Sequence, residues 1–286
     1  MKDRVILIVA ASVLALGINI GAAKPEESVA NLLDKLSGLS VPFQKNEQLV
    51  YEVNWQPLFL LPTFKVGELS LSVIESEYLD QDTFTISARA RSEGILASIA
   101  NLKVRDTFKS IIDRYNFRSY WMLRKIRRNR RNQDIEAHFN YKDKTASIRE
   151  TTLEASPAEK DPKEKITNIQ GPIADILSIF YAARLREMHA GEQYMINFFN
   201  GRKLENVHMR VQKGQIVRTA IGPFHTIKIS TVGGLFHGGG DFGVWYSRDT
   251  LRVPVQFQAD AKVGKVYGQI IRIETPHLRR SVIHVP

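Results

Sequence analysis

The chain has 286 residues, 40 Lys and Arg against 30 Asp and Glu, and no cysteine. The missing cysteines exclude a disulfide framework, a thiolate nucleophile, a Cys-ligated zinc and a lipid anchor on Cys. A net charge of +10 attracts polyanions without sequence specificity, although it also serves solubility alone.

The first residues read MKDRVILIVAASVLALGINIGAAKPEE. Lys2 and Arg4 precede an apolar run from Val5 to Ile20, and small residues follow at Gly21, Ala22 and Ala23. This is the layout of a secretory signal peptide cut after Ala23. The alternative is an uncleaved anchor, for which the run is short, because a span needs about 20 residues. The expected location is the periplasm. There a basic surface meets phospholipid headgroups, lipopolysaccharide and acidic glycans rather than nucleic acid. Residues 24–44 are expected to form a short amphipathic helix, with Val29, Leu32, Leu33 and Leu36 on one face, and a linker.

From residue 45 the period changes to two. Leu49, Tyr51, Val53 and Trp55 alternate with polar residues, as do Leu69, Leu71 and Val73, and then Phe84, Ile86, Ala88 and Ala90. Such alternation predicts strands with one buried and one wet face. Residues 94–103 are expected to form a helical turn or two, and 105–113 a further strand. The charged, proline-bearing stretch 154–168 predicts a solvated loop. Residues 173–189 predict a helix, with Pro172 suited to its first position, Asp175 near its positive end, and Arg184, Arg186 and His189 near its negative end. Strands are expected from Tyr194 to Ile273, with turn signals at Asn200-Gly201 and Lys213-Gly214. The expected architecture is mainly β: residues 45–286 form a single domain, an antiparallel curled sheet or barrel-like structure with one inserted amphipathic helix.

Residues 121–133, WMLRKIRRNRRNQ, carry Arg124, Lys125, Arg127, Arg128, Arg130 and Arg131. Alternating residues on both sides make the run the tip of a hairpin, with Asn129 and Asn132 as turn formers. Asp134 and Glu136 are placed to pair across the hairpin with Arg128 or Lys125. The tip reads either as a solvated edge whose charge opposes edge-to-edge pairing or as an anion-contacting site made by these six residues. The run lacks interleaved aromatics, which argues against nucleic acid.

No catalytic constellation emerges. The seven histidines form neither HxH nor HExxH. The glycine-rich stretch 233–243 lacks the order of a phosphate loop and leads into a strand pattern. No GxSxG is present. No cofactor and no metal are expected.

Several stretches together resemble a family. They are NEQLVYEVNW with VGELSLSV, DILSIFYAARL, NGRKLENVHMRV, IGPFHTIKI, and FGVWYSRDTLRVPVQFQADAKVGKVYGQI, spread over residues 45–273. In order and spacing they resemble the exported bacterial domain-of-unknown-function family 3108. The resemblance implies a periplasmic, barrel-like, mainly β domain and carries no catalytic residues. In the last stretch Trp245, Asp249 and Pro254 suit fold-setting roles: a buried aromatic, a turn carboxylate and a strand start that needs no ladder donor. The expected function is a non-catalytic envelope protein that binds an amphiphile or an acidic glycan. The alternatives are an interaction module docking on another envelope protein and a hydrolase of envelope polymers.

Overall fold

The computed structural model describes residues 43, 46–57, 62–94, 103–129, 131–153, 162–232, 241–260 and 264–275. The expected signal peptide, the expected N-terminal helix, its linker apart from Phe43, residues 95–102 of the expected turn and the glycine-rich residues 233–240 lie outside the described residues.

The chain is mainly β, with one helix among the described residues. The strands are β1 (Gln48–Gln56), β2 (Phe64–Tyr78), β3 (Gln81–Ser92), β4 (Arg105–Asp113), β5 (Ser119–Arg128), β6 (Arg131–Asn140), β7 (Thr145–Leu153) and β8 (Lys163–Asn168). The short β9 (Ala174–Asp175) leads into helix α1 (Ile176–Leu185). Then come β10 (Gln193–Phe199), β11 (Leu204–Thr219), β12 (Gly222–Thr231), β13 (Phe242–Ser247), β14 (Pro254–Asp260) and β15 (Lys265–Glu274).

All strands belong to one sheet, in the order β8-β7-β6-β5-β4-β3-β2-β1-β15-β14-β13-β12-β11-β10-β9. Two meanders, β1 to β8 and β9 to β15, therefore meet at the β1–β15 pair, which runs from Gln48↔Glu274 to Gln56↔Lys265. Every pair is antiparallel except β9 with β10. The alternation seen in sequence sets the faces. Leu49, Tyr51, Leu71, Val73, Phe84, Ile86, Ala88 and Phe108 point into the main core, and their polar neighbours face outward.

The sheet curls until its β9 end returns to β5. Ser119 N donates to the Ile173 carbonyl at 2.9 Å. Tyr141 Oη donates to the Ser119 carbonyl at 2.7 Å and accepts from Ile173 N at 3.2 Å. Asp175 completes this seam. Its Oδ2 accepts from the hydroxyls of Ser110 on β4 and Ser119 on β5, and its Oδ1 accepts from Leu177 N at 2.7 Å and Ser178 N at 3.0 Å. Asp175 is thus the N-cap of α1, and Ser178 Oγ accepts from Asp175 N at 2.8 Å in return. Burial pushes the Asp175 carboxyl up from its ordinary value of 3.8, against the pull of the hydrogen bonds from Ser110, Ser178, Ser119 and Leu177.

Helix α1 lies on the concave side, with Leu177, Tyr181 and Leu185 in the main core. Phe43 packs edge-on to Phe84, Phe117 and Tyr181, with centroids 5.4, 6.0 and 5.1 Å apart. Beside it Arg184 makes a bidentate pair with Glu47, Nη1 to Oε1 at 2.6 Å and Nη2 to Oε2 at 3.0 Å, and both side chains are buried. A second, smaller core sits where β5, β6 and β7 overhang the seam. It joins Met122, Ile135, Ala137, Phe139, Ala146 and Ile148 to Ile169, Ile173 and Phe199.

Three local expectations are corrected. Residues 163–168 form the edge strand β8 rather than a loop. The helix begins at Ile176, not near Pro172, because Ala174 and Asp175 pair with Phe198 and Phe199 as β9, and it ends at Leu185 with extended backbone at Arg186. Lys213-Gly214 is not a hairpin turn but a bulge inside the continuous strand β11, where the register to β12 shifts between Lys213 and Ile216. Thr226 Oγ1 fills the bulge, accepting from Gln215 N at 3.2 Å and donating to the Gln215 carbonyl at 2.6 Å. Beyond the bulge β11 bends back over the sheet, and Gln269 Nε2 on β15 donates to the Arg218 carbonyl at 2.8 Å.

Candidate anion-binding cleft

The basic run forms a hairpin as expected: β5 and β6 pair from Trp121↔His138 to Arg128↔Arg131, and Asn129 and Arg130 join them. The hairpin does not lie at an edge, because β4 and β7 flank it in the sheet. Edge protection therefore does not account for its charge. The free edge that carries charge is β8, with Lys163, Glu164 and Lys165 exposed.

The six cations of the run divide by strand parity. Arg124 and Ile126 point inward. Arg124 is only 2% exposed and its guanidinium lies over Phe108, 5.3 Å from the ring centroid, so it does not contact solvent anions. Arg128 also turns inward: its side chain is 7% exposed and its Nε donates to Asp106 Oδ2 at 3.0 Å. Asp106 Oδ1 accepts from Arg127 N at 3.0 Å as well. Arg127 Nη1 binds Asp134 Oδ1 at 2.5 Å. The expected pairing across the hairpin is thus corrected: Asp134 takes Arg127, Arg128 takes Asp106, and Glu136 accepts from Trp121 Nε1 at 2.7 Å. Lys125 is exposed on the outer face. Arg130 and the side chain of Arg131 lie outside the described residues.

The hairpin borders an open cleft of about 770 Å³. Arg127, Arg128, Asn129 and Asn132 form one wall, and Arg91, Ser92, Lys103, Val104 and Arg105 form the other. Lys103 N donates to Asn129 Oδ1 at 2.7 Å and so joins the two walls, while Val104 N donates to Ser92 Oγ at 3.0 Å within the second wall. Arg91 and Arg105 are direct cross-strand partners, an arrangement in which like charges repel. Arg91 is relieved by Glu68 at 3.1 Å. Lys103 and Arg105 are exposed and have no acidic partner among the described residues. The cleft therefore gathers five cationic side chains and no carboxylate in its lining; Arg91, Arg127 and Arg128 are paired with Glu68, Asp134 and Asp106 behind it, which leaves Lys103 and Arg105 able to attract an anion.

Sequence reasoning missed Arg91, Lys103 and Arg105. Arg91 and Arg105 lie on wet faces of predicted strands, but only the adjacency of β3, β4 and β5 brings them beside the hairpin.

Among the described residues, one apolar recess inside the sheet is far smaller than the cleft. The apolar recess between α1 and β10 to β13, lined by Phe180, Tyr194, Met209, Phe242 and Tyr246 among others, holds about 20 Å³, enough for a single water. Trp245 is buried on β13 with Lys228 Nζ 4.7 Å from its ring centroid. Asp249 Oδ1 accepts from Ser247 Oγ at 2.9 Å, Leu251 N at 3.0 Å and Arg252 N at 3.1 Å. Pro254 opens β14, and its carbonyl accepts from Tyr51 Oη at 2.7 Å. Pro254 thus ties β14 to β1, Asp249 holds the β13–β14 turn and Trp245 packs against β12, and none of the three borders the cleft.

The fold has a solved counterpart. It is similar to the beta-barrel-like protein of domain of unknown function DUF1849 from Brucella abortus, with a TM-score of 0.53, 9% identity, and coverage of 82% of this chain and 99% of that one. A Bacteroides fragilis protein with a YmcC-like fold matches at a TM-score of 0.28 and 10% identity, over 83% of this chain and 99% of that one. No curated protein matches the chain. The sequence matches the protein family of unknown function DUF3108 over residues 50–270, nearly all of the described sheet, and the chain belongs to that family.

Proposed function

We propose that this chain is a non-catalytic protein of the periplasmic cell envelope, and that its cleft binds the anionic group of an amphiphile or an acidic glycan. One observation carries the reading: Lys103 and Arg105 stand in a cleft of like charge with no acidic partner among the described residues. The recess beside α1 is too small for an acyl chain, so the cleft would hold an amphiphile by its headgroup. The cleft's one hydroxyl, Ser92 Oγ, is bound to Val104 N, and no base lies in the lining to activate it.

A second reading, docking of another envelope protein through the sheet edge, is favoured by β8. That strand has a neighbour on one side only and exposes Ile166 at 73%. Its alternating charges oppose edge pairing, so the cleft is the stronger site.

The test is binding to phosphatidylglycerol vesicles and to polygalacturonate at rising salt. The parent should bind at least one of them at low salt and release it as exposed charges are screened. Lys103→Ser/Arg105→Ser should weaken binding roughly 30-fold, from about 1 kcal/mol per cation near an anionic surface. Unchanged binding by this variant, or no binding by the parent, refutes the reading.

A further inference from the structure

The cleft is one end of a longer cationic track on the outer face. Arg89 and Lys125 lie on either side of Thr107, as the pairs Arg89↔Thr107 and Thr107↔Lys125 show. Lys109 stands in the next outward-facing row, between Ser87 and Leu123. These side chains have the opposite parity to the core residues Ile86, Ala88, Phe108 and Ile126, and all three are exposed. With strands about 4.8 Å apart and a rise of about 3.4 Å per residue, the backbone sites of Arg89 and Lys125 are roughly 10 Å apart, and those of Arg105 and Lys109 roughly 14 Å. The nearest carboxylates on this face are Glu68 on β2, taken by Arg91, and Asp134 and Glu136 on β6, which stand beside Lys125 and Leu123 and are taken by Arg127 and by Trp121 Nε1. Arg89, Arg105, Lys109 and Lys125 have no acidic partner among the described residues.

We infer that the ligand is a linear acidic polysaccharide, which enters the Lys103–Arg105 cleft and continues across β3, β4 and β5 over Arg89, Lys125 and Lys109. The inference rests on the cleft reading and extends it by naming the ligand class. Three features favour a chain over a lipid surface. The cations are spread along the strands rather than gathered at one tip. The sheet is convex here, so a flat bilayer would reach few of them together. The large exposed apolar residues of the described chain, Ile74, Leu79, Tyr115, Ile166, Ile216 and Leu251, all lie off this track, whereas an interfacial binder buries apolar side chains among the headgroups. The cationic rows also lack an aromatic for base stacking.

The test compares the parent, the cleft variant Lys103→Ser/Arg105→Ser and the track variant Arg89→Ser/Lys109→Ser/Lys125→Ser. The probes are polygalacturonate, dextran sulfate and phosphatidylglycerol vesicles. The track variant should lose on the order of 100-fold in affinity for at least one polymer. The charge-keeping variant Arg89→Lys/Lys109→Arg/Lys125→Arg should bind as the parent does, which separates charge from folding. If the cleft variant loses binding and the track variant does not, the cleft reading stands and the polysaccharide track falls. The track also falls if vesicles bind the parent more tightly than either polymer. If neither variant changes binding to any probe, both readings fall.

Discussion

Replacing Asp175 by alanine should be among the most damaging single changes in this chain, although the residue lies far from the cleft. Four donors converge on its carboxylate: the hydroxyls of Ser110 and Ser119 and the amides of Leu177 and Ser178. All four donor residues are buried. Losing an N-cap costs about 1 kcal/mol, and a buried donor left without a partner costs about 1–3 kcal/mol. Ser119 Oγ also lies 3.3 Å from Ser178 Oγ, so part of the hydroxyl loss is recovered by rotation. Removing a buried carboxylate also removes its desolvation cost. The net loss should be about 3 kcal/mol for alanine and about 1 kcal/mol for asparagine, which keeps an oxygen for the two helix amides. The pH dependence has a definite sign. The folded-state carboxyl is raised above 3.8 by burial, so the folded state holds this proton more tightly than the unfolded one. The stabilisation from that proton is complete below the ordinary value and is lost as pH rises through the raised one. The parent should therefore lose stability relative to Asp175→Asn as pH rises through that window. Urea unfolding of the three proteins across the acid range measures both effects. An alanine variant within 1 kcal/mol of the parent, or an asparagine variant less stable than the alanine one, would show that Asp175 does not hold the seam.

Other outcomes follow from the same structure. Arg184→Met should cost about 3–5 kcal/mol, because Glu47 is left buried and charged, and adding Glu47→Gln should restore most of that loss in chemical denaturation. Gly214→Ala should cost about 2 kcal/mol, since a Cβ there would sit 2.2 Å from the Thr226 carbonyl oxygen, and the melting temperature reports it. Arg128→Ser should destabilise the chain by about 3 kcal/mol by stranding Asp106, whereas Arg105→Ser should stay within about 0.5 kcal/mol of the parent in thermal unfolding.

The strands were legible where one face meets the core, because burial of Leu49, Tyr51, Leu71, Phe84 or Phe257 imposes alternation on the sequence itself. Legibility ended where a strand lacks that contrast. Lys163–Asn168 is almost wholly exposed, so its composition resembles that of a loop. Ile173, Ala174 and Asp175 are all buried, so nothing in their pattern separates a two-residue strand from a helix start. Lys213-Gly214 has the composition of a turn, yet the glycine is set by a backbone that passes close by from β12. At the cleft, parity counted outward from the apolar Ile126 would have turned Arg124 and Arg128 inward. The partnership of Arg91, Lys103 and Arg105 with the hairpin has no local signal, because it depends on which strands become neighbours.

Among the described residues, two backbone junctions join the strands of the two meanders, and the two differ in kind. Within each meander, most neighbouring strands are also neighbours in sequence, so their pairing closes short loops and demands little chain entropy. The β1–β15 pair brings Gln48 to Glu274 and requires nearly the whole chain to be gathered first. The other junction, at Ser119, Ile173 and Asp175, is a few hydrogen bonds and the small core around Phe139 and Phe199. The molecule is therefore a clasped band, with a ladder on one side and a buckle on the other. Under stress the buckle should yield before the ladder, uncovering α1 and the inner face of the sheet while both meanders keep their hydrogen bonds.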